Sequence, residues 1–286
     1  MRIDEALKAA QAISSDTAQL DASLLLASVL GVSTGYLRTW PERELDATQR
    51  ERYLQLIERR GQGEPVAHLL GKQGFWTLDL AVSPHTLIPR PDTELLVEQA
   101  LQLKLPAQAR VLDLGTGTGA IALALASERP SWQIWAVDSV PDAVLLAQQN
   151  AKDCAIANVQ VMQSDWFSAM NDQRFDLIVS NPPYIDPDDP HLREGDVRFE
   201  PASALISGAG GLADLSHIIA HAQGYLEPEG WLLLEHGYDQ GDAVRELFAM
   251  HGYQCVSTIQ DLGGRDRVSV GQYVPGKEED RRAGNV

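Results

Sequence analysis

Asn181-Pro182-Pro183-Tyr184 carries the most chemical information in this 286-residue chain. It follows Phe175-Asp176-Leu177-Ile178-Val179-Ser180, an apolar run that reads as a buried strand. Neither proline can donate to a sheet ladder, so the pair ends the strand and holds the next backbone stiff and extended. The corner then offers one amide side chain, exposed carbonyls and one aromatic ring. Such acceptors suit the N–H groups of a planar amide or amine, and the ring can cover its face. A proline turn with a capping Asn and a packed Tyr would account equally well for these four residues alone.

A second motif lies upstream. Arg110-Val111-Leu112 leads into Asp113-Leu114-Gly115-Thr116-Gly117-Thr118-Gly119, and the alanine-rich Ala120 to Ala126 follows. The order predicts strand, glycine turn and helix. Glycines admit positive φ and close approach of a ligand, and the helix start offers unpaired N–H groups. Nineteen residues after Gly119 comes Asp138, closing the strand-like Gln133-Ile134-Trp135-Ala136-Val137. A carboxylate there is placed to hold ribose hydroxyls. Gly115, Gly117 and Ala120 also satisfy the dinucleotide pattern, so a nicotinamide enzyme is a competing reading. Against it, Asp113 is expected to repel a pyrophosphate and to favour a ligand with sulfonium and ammonium groups. The Asn-Pro-Pro-Tyr corner has no role in hydride transfer.

Taken with Leu87-Ile88-Pro89-Arg90-Pro91-Asp92-Thr93-Glu94, Asp165-Trp166 and Asp196-Val197-Arg198-Phe199-Glu200-Pro201, these stretches closely resemble the release-factor glutamine methyltransferases, the PrmC/HemK family. The resemblance covers nearly the whole chain. Asn-Pro-Pro-Tyr alone is shared with adenine-N6 DNA methyltransferases and other methylators of amino groups. The resemblance implies an α/β fold: a seven-stranded Rossmann-like class I methyltransferase sheet with its final strand reversed, plus a small N-terminal helical domain. It implies methyl transfer from S-adenosyl-L-methionine to the glutamine amide of the Gly-Gly-Gln loop in bacterial class-one peptide chain release factors. Rival readings are an adenine-N6 nucleic-acid methyltransferase and a release-factor-binding protein without turnover.

Ligands of open α/β sheets sit beyond the C-terminal strand ends. Cofactor contacts are therefore expected from Gly115, Thr116, Gly117, Thr118 and Gly119, from Asp138 on the ribose, from Trp166 over the adenine and from Asn181. Asp165 is expected to accept from the adenine amino group. Substrate contacts are expected from Asn181, Pro182, Pro183 and Tyr184. Of these, Asn181, Pro182 and Tyr184 form the expected catalytic set: two oxygens accept the amide N–H groups while the ring excludes water. No metal is required.

The elements that must position these groups can be read along the chain. Residues 1–70 read as a helical domain for substrate recognition, with Ile3, Ala6, Leu7 and Ala10 on one stripe. Asp16 or Thr17 would cap a helix that Gly31 stops, and Asp46 would start a third. Residues 71–91 read as a connector hairpin and 92–275 as the methyltransferase domain. Strands are expected at 109–114, 132–138, 158–163, 175–180, 230–236, 253–260 and 267–274, the last two pairing as an antiparallel hairpin. Helices are expected near 92–103, 119–127, 141–153, 211–226 and 240–250. The polar end, 276–286, is expected to be disordered.

An apolar share of 44% supports a real core, and a net charge of −17 disfavours a phosphate backbone as partner. Cys154 and Cys255 lack CxxC spacing and read as reduced thiols of a cytoplasmic protein. No run of the sequence has membrane-spanning length or signal-peptide character. Arg90, in a rigid turn, reads as a guard of the cleft or as half of an ion pair. The acidic stretch 186–201 reads as a substrate loop or as a solvated charge run. His217 and His221 have i, i+4 spacing without the glutamate of a zinc motif, and Glu235-His236, ending an apolar strand, reads as a packing or loop pair.

Overall fold

The computed structural model describes residues 1–275, so the expectation for 276–286 lies outside the described residues. The chain divides into two compact units. The first comprises Met1–Gln73, Val82–Pro84 and Pro190–Phe199; the second comprises Gly74–Ala81, His85–Asp189 and Glu200 onward.

The first unit holds α1 (Ile3–Leu7), a 3-10 turn at Lys8–Ala12, α2 (Ala18–Leu30), α3 (Thr34–Thr39), α4 (Ala47–Gly61) and α5 (Val66–Leu70). The single stripe read over Ile3 to Ala10 is thus split between an α and a 3-10 segment, yet Ile3, Ala6 and Ala10 still enter one core with Leu25, Leu26, Tyr53 and Ile57. Gly31 ends α2 in the left-handed region, and Asp46 caps α4 in a box with Gln49, both as expected. Thr17 occupies the N-cap of α2 but its hydroxyl donates to Asp21 Oδ1 at 2.9 Å instead of capping. Helix α3 went unread; its signal is Ser33, whose hydroxyl accepts from the Tyr36 N–H. Arg60 is buried between Asp21 at 2.8 Å and Asp196 at 2.7 Å. Part of the acidic stretch is therefore an ion-pair partner within this unit.

β1 (Lys72–Phe75) and β2 (Leu78–Ala81) form a two-stranded sheet. The second unit continues through α6 (Glu94–Gln102), β3 (Arg110–Leu114), α7 (Ala120–Glu128), β4 (Gln133–Asp138), α8 (Pro141–Asp153), β5 (Val159–Gln163) and β6 (Phe175–Ser180). It closes with the single turn α9 (Gly208–Gly211), α10 (Ala213–Ala222), β7 (Leu226–Glu235), α11 (Gly241–Met250), β8 (Gln254–Gln260) and β9 (Asp266–Gln272). The sheet order is β5-β4-β3-β6-β7-β9-β8. Only β9 runs against its neighbours, pairing antiparallel with both β7 and β8. β7 begins at Leu226, earlier than expected, because a register shift against β6 absorbs Pro228 and the left-handed Glu229.

Strand alternation sorts the core into two layers. Val111, Leu177, Val179 and Leu233 face α6 and α7, whereas Leu112, Leu114, Ile178 and Leu232 face the layer of α10 and α11. Ala120 through Ala126 are all buried, and the small alanines let α7 lie close on the sheet. The strand order reverses between β4 and β6 around β3, the crevice where an open α/β sheet accepts ligand.

Candidate active site

At that crevice lies a cleft of about 270 Å³ lined by Gly115, Thr116, Gly117, Thr118, Asp138, Asp165, Trp166, Asn181 and Pro183, with Arg90, Thr93 and Asp214 at its other walls. Four expected segments thus meet there. Gly115 and Gly117 have φ of +68° and +56°, so the turn bends without side chains into the cleft. A Cβ on Gly115 would come within 3.6 Å of the Trp166 ring. Trp166 itself has φ +46°; the Ser164 hydroxyl shapes its turn by donating to the Trp166 carbonyl at 2.8 Å and accepting from the Ala169 N–H at 3.0 Å.

Asp138 is aimed by two backbone donors, Gly117 N–H to Oδ2 and Val140 N–H to Oδ1, both at 2.9 Å. Burial raises its carboxyl above the ordinary range, against the pull of those donors. Gly119 does not line the cleft. It starts α7 at φ +85°, and a Cβ there would crowd Leu123 at 3.1 Å and Ala147 at 3.3 Å, so it serves helix packing.

Asp113 requires a correction. It is wholly buried in the layer beneath the turn and takes no part in the lining. Its Oδ2 accepts from the Thr116 hydroxyl at 2.6 Å and the Ala122 N–H at 3.2 Å, while Oδ1 has no partner among the described residues. It braces the glycine turn. The carboxylates that do line the cleft are those of Asp138, Asp165 and Asp214.

The Asn-Pro-Pro-Tyr corner is held from several sides. The Ser180 hydroxyl donates to the Leu114 carbonyl at 2.7 Å, tying the end of β6 to the end of β3. Asn181 Nδ2 donates to Thr93 Oγ1 at 3.2 Å, and no described residue engages the Asn181 side-chain oxygen or the Pro182 carbonyl. Pro182 is buried and Tyr184 half-buried; neither is among the residues lining the cleft. The Tyr184 hydroxyl donates to Glu235 Oε1 at 3.4 Å, and its carbonyl accepts from Gln240 Nε2 at 3.0 Å. Beyond it, Ile185 bridges Leu205 and Ser207 through backbone bonds of 2.9 Å each.

Arg90 lines the cleft and makes the ion pair that was one of its two expected roles, at 2.6 Å from Glu200, whose carboxylate is fully buried and also accepts the Ile88 N–H. The His217 and His221 rings lie 4.3 Å apart at a 33° tilt, and no cluster among the described residues has the make-up of a metal site. No described helix is long and apolar enough to cross a membrane. Sequence reasoning gave no role to Thr93 and Asp214, and read Glu235 only as a packing or loop residue at a strand end. Thr93 lies inside a quoted motif, but a hydroxyl that orients a side chain 88 positions away has no local spacing to announce it.

The groups present fit a nucleoside with a cationic tail: a glycine cradle, an aimed carboxylate, an indole face and acidic walls. Residues 91–249 match the family model of the methyltransferase small domain, and 3–71 that of the PrmC N-terminal domain. The release factor glutamine methyltransferase of Pseudomonas aeruginosa is 58% identical over 267 residues, 93% of this chain and 97% of that relative. That of Escherichia coli is 54% identical over 270 residues, 94% and 96% of the two chains. A solved methyltransferase from Pyrococcus furiosus shares the fold, with TM-score 0.53 and 19% identity over 69% of this chain and 90% of its own. The fold, the cleft and these relatives lead to one conclusion: the chain belongs to the release factor glutamine methyltransferase family, enzymes that use S-adenosylmethionine.

Proposed function

We propose that this protein methylates the side-chain amide nitrogen of the glutamine in the Gly-Gly-Gln motif of class-one peptide chain release factors. The observation that carries the reading is the orientation of Asn181. Thr93 takes its N–H, which leaves the side-chain oxygen as the free pole at the cleft. An amide nitrogen is a poor nucleophile because its lone pair is delocalised into the carbonyl. Asn181 Oδ1 and the Pro182 carbonyl accept its two N–H groups, fix its plane and draw electron density towards nitrogen. Tyr184 closes over the amide and excludes water. S-Adenosylmethionine supplies an electrophilic methyl group on a sulfonium, a leaving group that needs little acid assistance. Asp138 holds the ribose, Gly115 to Thr118 run along the methionyl part, and Trp166 and Asp165 meet the adenine. The residues thus act by positioning and electrostatics, and the amide proton is lost after transfer.

Labelled methyl transfer tests this with purified release factors, the same factors bearing Ala for the motif Gln, and DNA. Label on the intact factors alone is the expected result. Label on DNA, or undiminished label on the Ala variants, overturns it.

A further inference from the structure

We propose that Gln240, the residue before α11, is a positioning residue for the methyl-accepting corner: its side-chain amide locks the Tyr184–Ile185 peptide plane and so sets where the Tyr184 ring sits. The inference deepens the reading of function given above and rests on it. The half-buried Gln240 amide has three partners, and each admits one orientation only. The Gly237 N–H can only donate, so it meets Oε1, at 2.8 Å. The carbonyls of Tyr184 and Gly210 can only accept, so they meet Nε2, at 3.0 Å and 3.4 Å. Gly237 is itself held, because its carbonyl accepts from the Gln240 N–H at 3.0 Å and from His236 Nδ1 at 2.8 Å. Gly211 keeps the path to Tyr184 open: a Cβ there would lie 2.7 Å from Gln240 Nε2.

The corner needs such a clamp because its own main chain offers few bonds. Pro182 and Pro183 have no N–H to donate. Ser180 is tied to Leu114 on one side, and the Ile185 N–H donates to the Leu205 carbonyl at 2.9 Å on the other. In a trans peptide the C=O and the N–H point to opposite edges of one plane. Leu205 therefore holds one edge of the Tyr184–Ile185 plane and Gln240 the other, which stops that plane from rotating. Among the described residues, no other side chain hydrogen-bonds the main chain of Asn181 to Tyr184. Without the Nε2 donor the plane is held at one edge, and Tyr184 is free to swing its ring away from Asn181. One amide on a neighbouring element thus steadies the corner without touching substrate.

The test uses the full chain with Gln240→Glu and Gln240→Met at about pH 8, where a carboxyl is ionised. It measures kcat and KM with release factor, S-adenosylmethionine affinity by calorimetry, and melting by circular dichroism. Gln240→Glu keeps the size and the acceptor for Gly237 but sets an oxygen against the Tyr184 carbonyl. Gln240→Met removes the donor without adding charge. Both are expected to lower kcat about tenfold or more, with KM and cofactor affinity within about twofold. A merely structural role would lower the melting temperature without that split between kcat and the two affinities. Parental kcat in either variant, or a loss carried by KM or cofactor affinity instead of kcat, overturns the inference. If one variant fails to fold, the other decides it alone. A parent with no activity on release factors sinks the functional reading and this inference together; an active parent with indifferent variants sinks only this inference.

Discussion

Gly211 and Tyr184 meet backbone to backbone: a Cβ on Gly211 would lie 2.1 Å from the Tyr184 carbonyl oxygen. Gly211 also has φ +82°, so the position excludes side chains for two independent reasons. Gly211→Ala must push the corner, and Gln240 that bonds the same carbonyl, out of place. We expect at least a tenfold loss of kcat (about 1.4 kcal/mol) and a fall of several degrees in Tm. Gly210→Ala is the control. Its φ is +68°, but its Cβ would meet only Asp186 Oδ2 at 3.9 Å, so it should cost about 1–2 kcal/mol of strain with kcat largely kept. Equal kcat in the two variants would show that the Gly211 contact does not hold the corner.

The helical unit depends on Arg60. Its side chain is 8% exposed and that of Asp21 7%, whereas Asp196 is 40% exposed. Arg60→Met leaves the Asp21 carboxylate buried and unpaired, a loss of about 3–5 kcal/mol by urea titration. Asp196→Asn touches the solvent-facing partner and should cost about 1 kcal/mol or less. The reverse ranking would place the anchor at the surface pair.

Asp113 gives stability a pH dependence. Burial pushes its carboxyl up to about 7, opposed by the Thr116 and Ala122 bonds and assisted by the Asp138 charge. A carboxyl raised on folding contributes stability that is fully present below its unfolded value and is lost as pH rises through about 7. Asp113→Asn removes that loss. The Tm of the variant minus that of the parent should therefore become more positive by a few degrees between about pH 5 and pH 7.5. A constant difference across that range would mean that Asp113 does not titrate there.

Much of the second unit was legible because its signals are local. Apolar runs ended by Gly115 or Pro182 mark strands, and the alanines after Gly119 mark a helix packed on the sheet. The missing helix between 260 and 267 gave the antiparallel hairpin of β8 and β9. What escaped depends on depth and distance. The sequence puts Asp113 beside the glycines but cannot say which face of β3 it occupies; strand alternation turns it inward, away from ligand. Glu235 reads as a strand-end residue until the sheet order sets β7 beside β6 and brings it to Tyr184. Asp196 looks like part of a solvated acidic run until the fold brings it to Arg60, 136 positions earlier.

The account turns on Asn181 as an acceptor. The most direct measurement is single-turnover methyl transfer by Asn181→Ala at saturating S-adenosylmethionine and release factor, with cofactor affinity measured in parallel. Loss of one preorganised polar partner predicts a rate at least about 100-fold below the parent, with cofactor affinity within severalfold. A variant that transfers methyl at the parental rate would contradict the account.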